Sequence, residues 1–577
     1  MKKLTKMLIS LLLVISIAIA PACGGEPEPD YDASKTTVIY LQNYDCGYGR
    51  TYISETAKKF MEKVKDVEYE PGKKGVYIDI LNTQSNSYGD YLTNSIRNSK
   101  YDVFMTTNID PLVMNEASGF MNLKDIVNAT SATQGYRFAE SKSILERIFP
   151  DARGVIEEND GDVFYLPLFL HAFHIVYDED LLKEKSLFIA EGSTDTTLNL
   201  TNDTSELNAG PDGAHGTYDD GLPQTYDQFY LWCDEIVNQG VAPINYCGTA
   251  SNGQTFALFQ FWADYEGADD YRRNFTFTGT ESNLVNEVDD NGNVLSYYPS
   301  TEITAQNGYM LTRQQGILET VRFAKKVSES EWLHQNCLGS LTNLEAQEAY
   351  LWGKYSNDRM AMHIDGNYWE AEAKTTFEEC EANGGGKMDR NFKVLPIPKA
   401  DRSKVGTDNA PARSTVSVDE GLQLVVRSTV EESKLQAIKD FILYFHSDEA
   451  LQIRHVESGV PVPFDYDLSS ENQAKLSTYG KSLYNTYFGE NVDVVFTYAD
   501  NDMYWANRLE LNRYNRGFNT LYGGDKVTHL AITHFMEQKR NGTPVSVKQY
   551  YNGIYENFTR VVAGESKWDK MYNKTQN

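Results

Sequence analysis

Basic residues are scarce in this chain. Its 577 residues carry 53 Lys and Arg against 82 Asp and Glu, a formal net charge of −29. That balance excludes a nucleic-acid surface, because phosphates demand basic patches. It also excludes tight adsorption to anionic lipid. The charge reads as a means of staying dissolved outside the cell.

Cysteine is scarce as well. Six occur, at Cys23, Cys46, Cys233, Cys247, Cys337 and Cys380. None forms a Cys-x-x-Cys pair, so no zinc ribbon is readable. Their spacing is irregular, which excludes a disulfide framework. Cys233 and Cys247 could pair, but free, mostly buried thiols are expected. Gly-x-Ser-x-Gly, His-Glu-x-x-His and phosphate-loop motifs are all missing, so the commonest hydrolase and nucleotide signatures are excluded. A glycosidase needs only two carboxylates across a cleft, and the abundance of acids leaves that route open.

Long apolar runs are limited to one. Met7 to Ala20 is apolar apart from Ser10 and Ser16, follows Lys2, Lys3 and Lys6, and precedes Pro21, Ala22 and Cys23. A positive start, a short apolar centre and small residues at the end predict a signal peptide over residues 1–22 rather than a spanning helix. Ala20-Pro21-Ala22-Cys23 resembles a bacterial lipobox, which implies that Cys23 carries lipid and begins the mature protein. Pro21 and the lack of Leu at position 20 depart from that pattern. Residues 23–35 are polar and contain Pro and Gly, as a flexible tether should.

The mature chain is too long for one core, so two or more lobes are expected. Thr36–Leu41 reads as a buried strand, and Ile53, Ala57, Phe60 and Val64 then recur at helical spacing. Val76, Ile78 and Ile80 alternate with polar residues, and Tyr101–Met105 is a third strand. Strand–helix–strand order predicts a parallel sheet flanked by helices, with ligands at the carboxyl ends of the strands. Leu168–Tyr177 is a long extended run suited to crossing between lobes. Glu191–Leu222 reads as an inserted polar loop. Thr225 with Gln228, and Thr429 with Glu432, are expected to cap helices. Met360–Ile364, Phe392–Leu395 and Gly421–Val426 are later strands, and the stretch after Leu468 reads as helical and Tyr-rich.

Several segments in order resemble the family 1 extracellular solute-binding proteins, the group that contains maltose-binding protein. They are Val38–Val64; Tyr101–Met105 with Gly119–Leu123; Asp160–Pro167 running into Ile175–Leu182; Pro223–Phe229; Met360–Trp369; Phe392–Pro398; and Ala437–Phe445 with Ser458–Pro463. The chain is longer than that pattern, with additions at 191–222, 274–305 and the carboxyl terminus. The resemblance implies two discontinuous α/β lobes joined by a hinge, the type II periplasmic-binding-protein fold. Lobe one should be 36–166 plus 414–447, and lobe two 167–413 plus 448–577. It further implies a monomeric, non-enzymatic binding subunit of an ABC importer. Such a subunit is held by lipid at the outer face of the cell membrane, closes on a carbohydrate and passes it to permease membrane subunits. A surface glycan-binding or glycan-hydrolysing lipoprotein, or a binder of peptides or other polar solutes, stands as the alternative.

Sugar recognition needs aromatic faces and planar polar groups, and the chain holds 38 Tyr, 26 Phe and 7 Trp. Asp365, Tyr368 and Trp369 follow a strand and match the place where the family sets an aromatic against sugar. Asn43, Tyr44 and Asp45 follow the first strand, and Thr107 and Asn108 the third. His171 lies in the crossing run, with His174 on the opposite face. Trp262 and Trp505 are further candidate ring platforms. No cofactor is expected. Asp212, Asp219 and Asp220, set among Gly turns, form a candidate calcium loop without EF-hand spacing. Asp289–Asn293 should be a hairpin turn.

Overall fold

The computed structural model describes residues 31–84, 89–107, 114–157, 160–248, 252–339, 341–356, 358–383, 390–497, 501–512, 517–522, 526–528 and 531–576. The signal segment, Cys23 and Asn108 lie outside these residues.

The first sheet is built from β1 (Thr37–Tyr44), β2 (Val76–Thr83), β3 (Val103–Thr106), β4 (Leu166–Pro167) and a later strand, Gln423–Val426. Val38, Ile39 and Leu41 of β1 are buried, so the strand is covered on both faces by helices. The helix Thr51–Lys63 supplies one cover, burying Tyr52, Ile53, Thr56, Ala57 and Phe60. Each large apolar side chain so buried contributes about 1.5–3 kcal/mol. The pairings β1–β2 and β1–β3 are parallel, as the strand–helix order requires. Gln423–Val426 instead runs antiparallel to both β3 and β4. The sheet is therefore mixed, because its last strand returns from far along the chain.

The crossing expected at Leu168–Tyr177 is present. The chain leaves β4, forms β5 (Leu170–His171), and enters the second sheet as β6 (Phe173–Asp178). That sheet adds β7 (Ala242–Asn245), β8 (Met360–Gly366) and β9 (Phe392–Val394), in the order β9-β6-β8-β7. A second crossing returns through β10 (Ser414–Glu420) into β11, the strand Gln423–Val426 of the first sheet. β5 and β10 pair antiparallel over His171↔Asp419 and Leu170↔Glu420. The two crossings thus touch side by side between two mixed α/β lobes.

Some local expectations are corrected. The region after Leu468 is not helical throughout: Val492–Phe496 forms β12, parallel to β10. Thr429 caps nothing, since the helix Glu432–Phe445 has Glu431 at its N-cap without a side-chain bond. Thr225 does cap the helix Tyr226–Asn238, but Gln228 reaches the N–H of Gln224, one residue before the cap. The insertion at 191–222 is only partly solvated. Its Asn208–Ala214 stretch is buried, and the Asp212 carbonyl accepts from the N–H of Ala412 at 2.8 Å. The helix Asp448–Ser458 packs on Thr51–Lys63, where Lys63 Nζ meets Glu449 at 2.9 Å. Cys46, Cys233, Cys247, Cys337 and Cys380 are all free thiols. The hairpin turn at Asp289–Asn293 is present, its Asp289 carboxylate accepting from the N–H groups of Asn291 and Asn293.

Candidate ligand-binding cleft

At the carboxyl end of β1 the chain leaves the sheet through Asp45-Cys46-Gly47-Tyr48-Gly49. Gly47 has φ +104° and Gly49 φ +74°, a left-handed backbone that side chains resist. The turn sends Tyr48 inward, where its ring stacks on Phe169 of the first crossing at 4.5 Å and 6°. The Tyr48 hydroxyl points at the second crossing, so close to Gly421 that a Cβ there would stand 2.3 Å away. One buried tyrosine therefore fills the space between the two crossings.

The opposing wall comes from the end of β8. Asp365 is buried, and its oxygens are fully engaged. Oδ1 accepts from the Gly366 N–H at 2.7 Å, while Oδ2 accepts from Gln347 Nε2 at 2.9 Å and meets His363 Nε2 at 3.0 Å. His363 is held in turn by Asn245. Three residues on, Tyr368 turns into the space between the lobes. Its ring lies parallel to the His171 imidazole at 5.8 Å and 8°. It stands 5.3 Å from Tyr48 and edge-on to Phe173. A Cβ on Gly47 would come within 2.6 Å of this ring, and one on Gly366 within 2.5 Å. The ring fits only because both neighbours are glycine.

Glu372 sits one helical turn after Tyr368 and so shares its face. Its Oε2 accepts from Gln347 Nε2. Burial, and the neighbouring Asp365 and Asp45, hold its carboxyl well above the usual carboxylate range. Burial likewise raises the Tyr368 phenol well above its ordinary value, so it stays a neutral donor. The Cys46 thiol is pushed up to about 12 by burial and by Asp45 and Glu372, which leaves it unreactive.

The structure brings Tyr44, Asp45, Asp365, Tyr368 and His171 to this region. Tyr44 and His171 are half-buried, and Asp45 accepts from Arg50 Nε at 2.7 Å. Asn43 is fully buried and donates to Asn82 Oδ1 at 3.0 Å, so its amide ties β1 to β2. Thr107 is half-buried just past β3. His174 does take the opposite face, buried against the Tyr487 hydroxyl at 2.8 Å; burial pushes its imidazole down to about 3.

Two of the expected ring platforms are core residues. Trp369 is fully buried among Tyr350, Phe377, Phe392 and Tyr479, because it opens a short helix that turns inward. Trp262 is fully buried, edge-on to Tyr271, with its indole N–H on Gln314. Trp505 lies in the helix Asp502–Ala506, with its side chain outside the described residues.

The candidate calcium loop spends its carboxylates on its own backbone. Asp212 accepts from the Ala214 N–H, Asp219 from the Asp212 N–H and the Thr217 hydroxyl, and Asp220 from the Gly216 N–H. Among the described residues, the acids whose ligand atoms lie within 4.8 Å of one another are Glu266, Asp270 and Glu281. Arg273 donates to Asp270 and Glu281, and the Gly316 N–H to Glu266.

Sequence reasoning missed Tyr48, Gln347 and Glu372. The last was findable, because Tyr368 and Glu372 are four residues apart on a helical start. Gln347 carried no signal, since its helix meets β8 only in the folded chain.

By sequence the chain matches no protein-family model and no curated protein. Solved structures do match it. The solute-binding protein RafE in complex with raffinose superposes with a TM-score of 0.50 at 14% identity, over 93% of this chain and all of that one. A protein from a study of xylan utilization by the thermophilic bacterium Caldanaerobius polysaccharolyticus gives 0.50 at 12%, over 90% of this chain and 99% of that one. A family 1 extracellular solute-binding protein from Bifidobacterium longum subsp. infantis gives 0.45 at 12%, over 94% and 100%. At such identities the likeness concerns the fold: this chain has the two-lobed α/β fold of the solute-binding proteins.

Proposed function

We propose that this chain is the ligand-capturing lipoprotein of an ABC importer, held at the outer face of the cell membrane through Cys23. It takes a carbohydrate, an oligosaccharide by preference, between its lobes and delivers it to permease membrane subunits. Lobe one is proposed to comprise residues 36–166 and 414–447, together with the helix Asp448–Ser458 that packs on it.

The observation that carries this reading is the position of Tyr368. Its half-buried ring stands between the Gly47 turn of one lobe and His171 of the crossing, with the Glu372 carboxyl, held by Gln347, one helical turn beyond it. An aromatic face with fixed planar polar groups is what a pyranose ring and its hydroxyl pairs require. The paired crossings β5 and β10 offer a narrow connection about which lobes could turn. A ligand that contacts both lobes would favour the closed form.

The test is a thermal-shift screen of the chain from Ser34 onward against mono- and oligosaccharides, peptides and polyols. Ligand bound only by the folded state raises the melting temperature by mass action. A selective rise with one saccharide class is expected. A rise with peptides alone overturns the sugar reading and leaves the fold standing. Conversion of the sugar to product identifies a hydrolase instead.

A further inference from the structure

The surroundings of Tyr368 are acidic. The carboxylates of Asp365 and Glu372 stand near it, Asp45 stands near Glu372, and Asp419 lies behind its stacking partner, 3.9 Å from His171 Nδ1. Among the described residues, the basic groups touching these acids are Arg50 on Asp45 and the imidazoles of His171 and His363.

These acids are not equivalent. Asp365 is spent inside the protein on Gln347, His363 and a backbone N–H. Glu372 is not. Its Oε2 takes the Gln347 amide, while Oε1 stands 3.2 Å from the position of a Gly47 Cβ and accepts no hydrogen bond from a described residue. Asp45 accepts from Arg50 Nε on Oδ2, and its Oδ1 accepts no hydrogen bond from a described residue. Two carboxylate oxygens are thus left without a donor among the described residues, one on the turn after β1 and one on the helix after β8. The raised Glu372 carboxyl reports the same crowding of negative charge.

We propose that the cleft filters saccharides by charge: it admits uncharged and amine-bearing saccharides, seating an ammonium between Glu372 and Asp45, and rejects those with a carboxylate or sulfate. The proposal rests on the saccharide reading above and narrows it. A ligand anion would meet several like charges in a partly desolvated space, where repulsion is screened far less than in water. A neutral hydroxyl can donate to Glu372, and an ammonium can donate and neutralise at once.

The experiment is titration calorimetry on the full mature chain with matched sugars: glucose, glucosamine and glucuronate, the galactose counterparts, and short oligomers of each series. In the series that binds, the uronate is expected to bind about a hundredfold more weakly than its parent, and the amine at least as tightly. In Glu372→Gln, and separately in Asp45→Asn, the gap between amine and uronate should narrow by about tenfold. A uronate within about threefold of its parent sugar overturns the filter while the saccharide reading survives. So does an amine-to-uronate gap unchanged in both variants. Failure of every sugar in every series removes the saccharide reading, and the filter with it.

Discussion

The ring of Tyr368 rests on the backbone of Gly47, so closely that a Cβ on Gly47 would stand 2.6 Å from ring carbon Cδ2. The two residues are far apart in sequence and belong to turns at the ends of strands in different sheets. Gly47→Ala is therefore expected to do two things. The left-handed φ of +104° costs about 1 kcal/mol for any side chain, and the new methyl displaces Tyr368. Gly72→Ala is the control, with φ +79° and nothing within 4 Å. Urea unfolding should show Gly47→Ala the more destabilised, and only Gly47→Ala should lose sugar affinity.

Tyr368 and Trp369 are neighbours in sequence and differ in burial. Trp369→Ala empties a packed aromatic site and should cost about 3–5 kcal/mol. Tyr368 is half-buried, so Tyr368→Ala should cost less stability and far more affinity. Equal losses of stability in the two variants would contradict the assignment.

The Tyr48 hydroxyl is buried and has no hydrogen-bond partner among the described residues. Leaving a buried polar group unsatisfied costs about 1–3 kcal/mol. Tyr48→Phe keeps the ring stacked on Phe169 and removes the orphan, so a melting temperature equal to or above wild type is expected. A clear drop would mean that the hydroxyl is satisfied in solution.

Two carboxyls withdrawn from water, one half-buried and one buried, should make stability fall as pH rises. Burial holds Glu266 at about 8 against an ordinary 4.5, and Asp219 at about 7 against 3.8. Between those values the folded chain keeps protons that the unfolded chain releases, so stability declines toward alkaline pH. Glu266→Gln keeps an acceptor for the Gly316 N–H and cannot ionise. Its melting temperature should depend less on pH between about 4.5 and 8 than wild type does. An unchanged slope would contradict the burial argument.

Much of the fold was legible because its signals are local. Alternation marked β1 and β2, helical spacing marked Ile53 to Phe60, and an unbroken apolar run marked the crossing at Leu168–Tyr177. β12 was not legible. Its short Val-Asp-Val-Val-Phe run lies on a sheet edge with only Val495 and Phe496 buried, and it sits in a Tyr-rich stretch that reads as helix. At the candidate cleft, position after a strand is enough to point to Asp45 and Tyr368. The same rule could not separate Tyr368 from Trp369, because the inward turn of the short helix is set by the core around Phe392. Nor could it reveal that Asn43 spends its amide on Asn82, a partner supplied by strand register.

The most direct measurement is a calorimetric titration of wild type and Tyr368→Ala with the saccharide that gives the largest thermal shift. Wild type is expected to bind one sugar class saturably, with the sugar recovered unchanged. Affinity at least about tenfold weaker is expected in Tyr368→Ala, the loss of one stacked aromatic face. Binding that is indifferent to Tyr368, or sugar that returns cleaved, would contradict the proposed function.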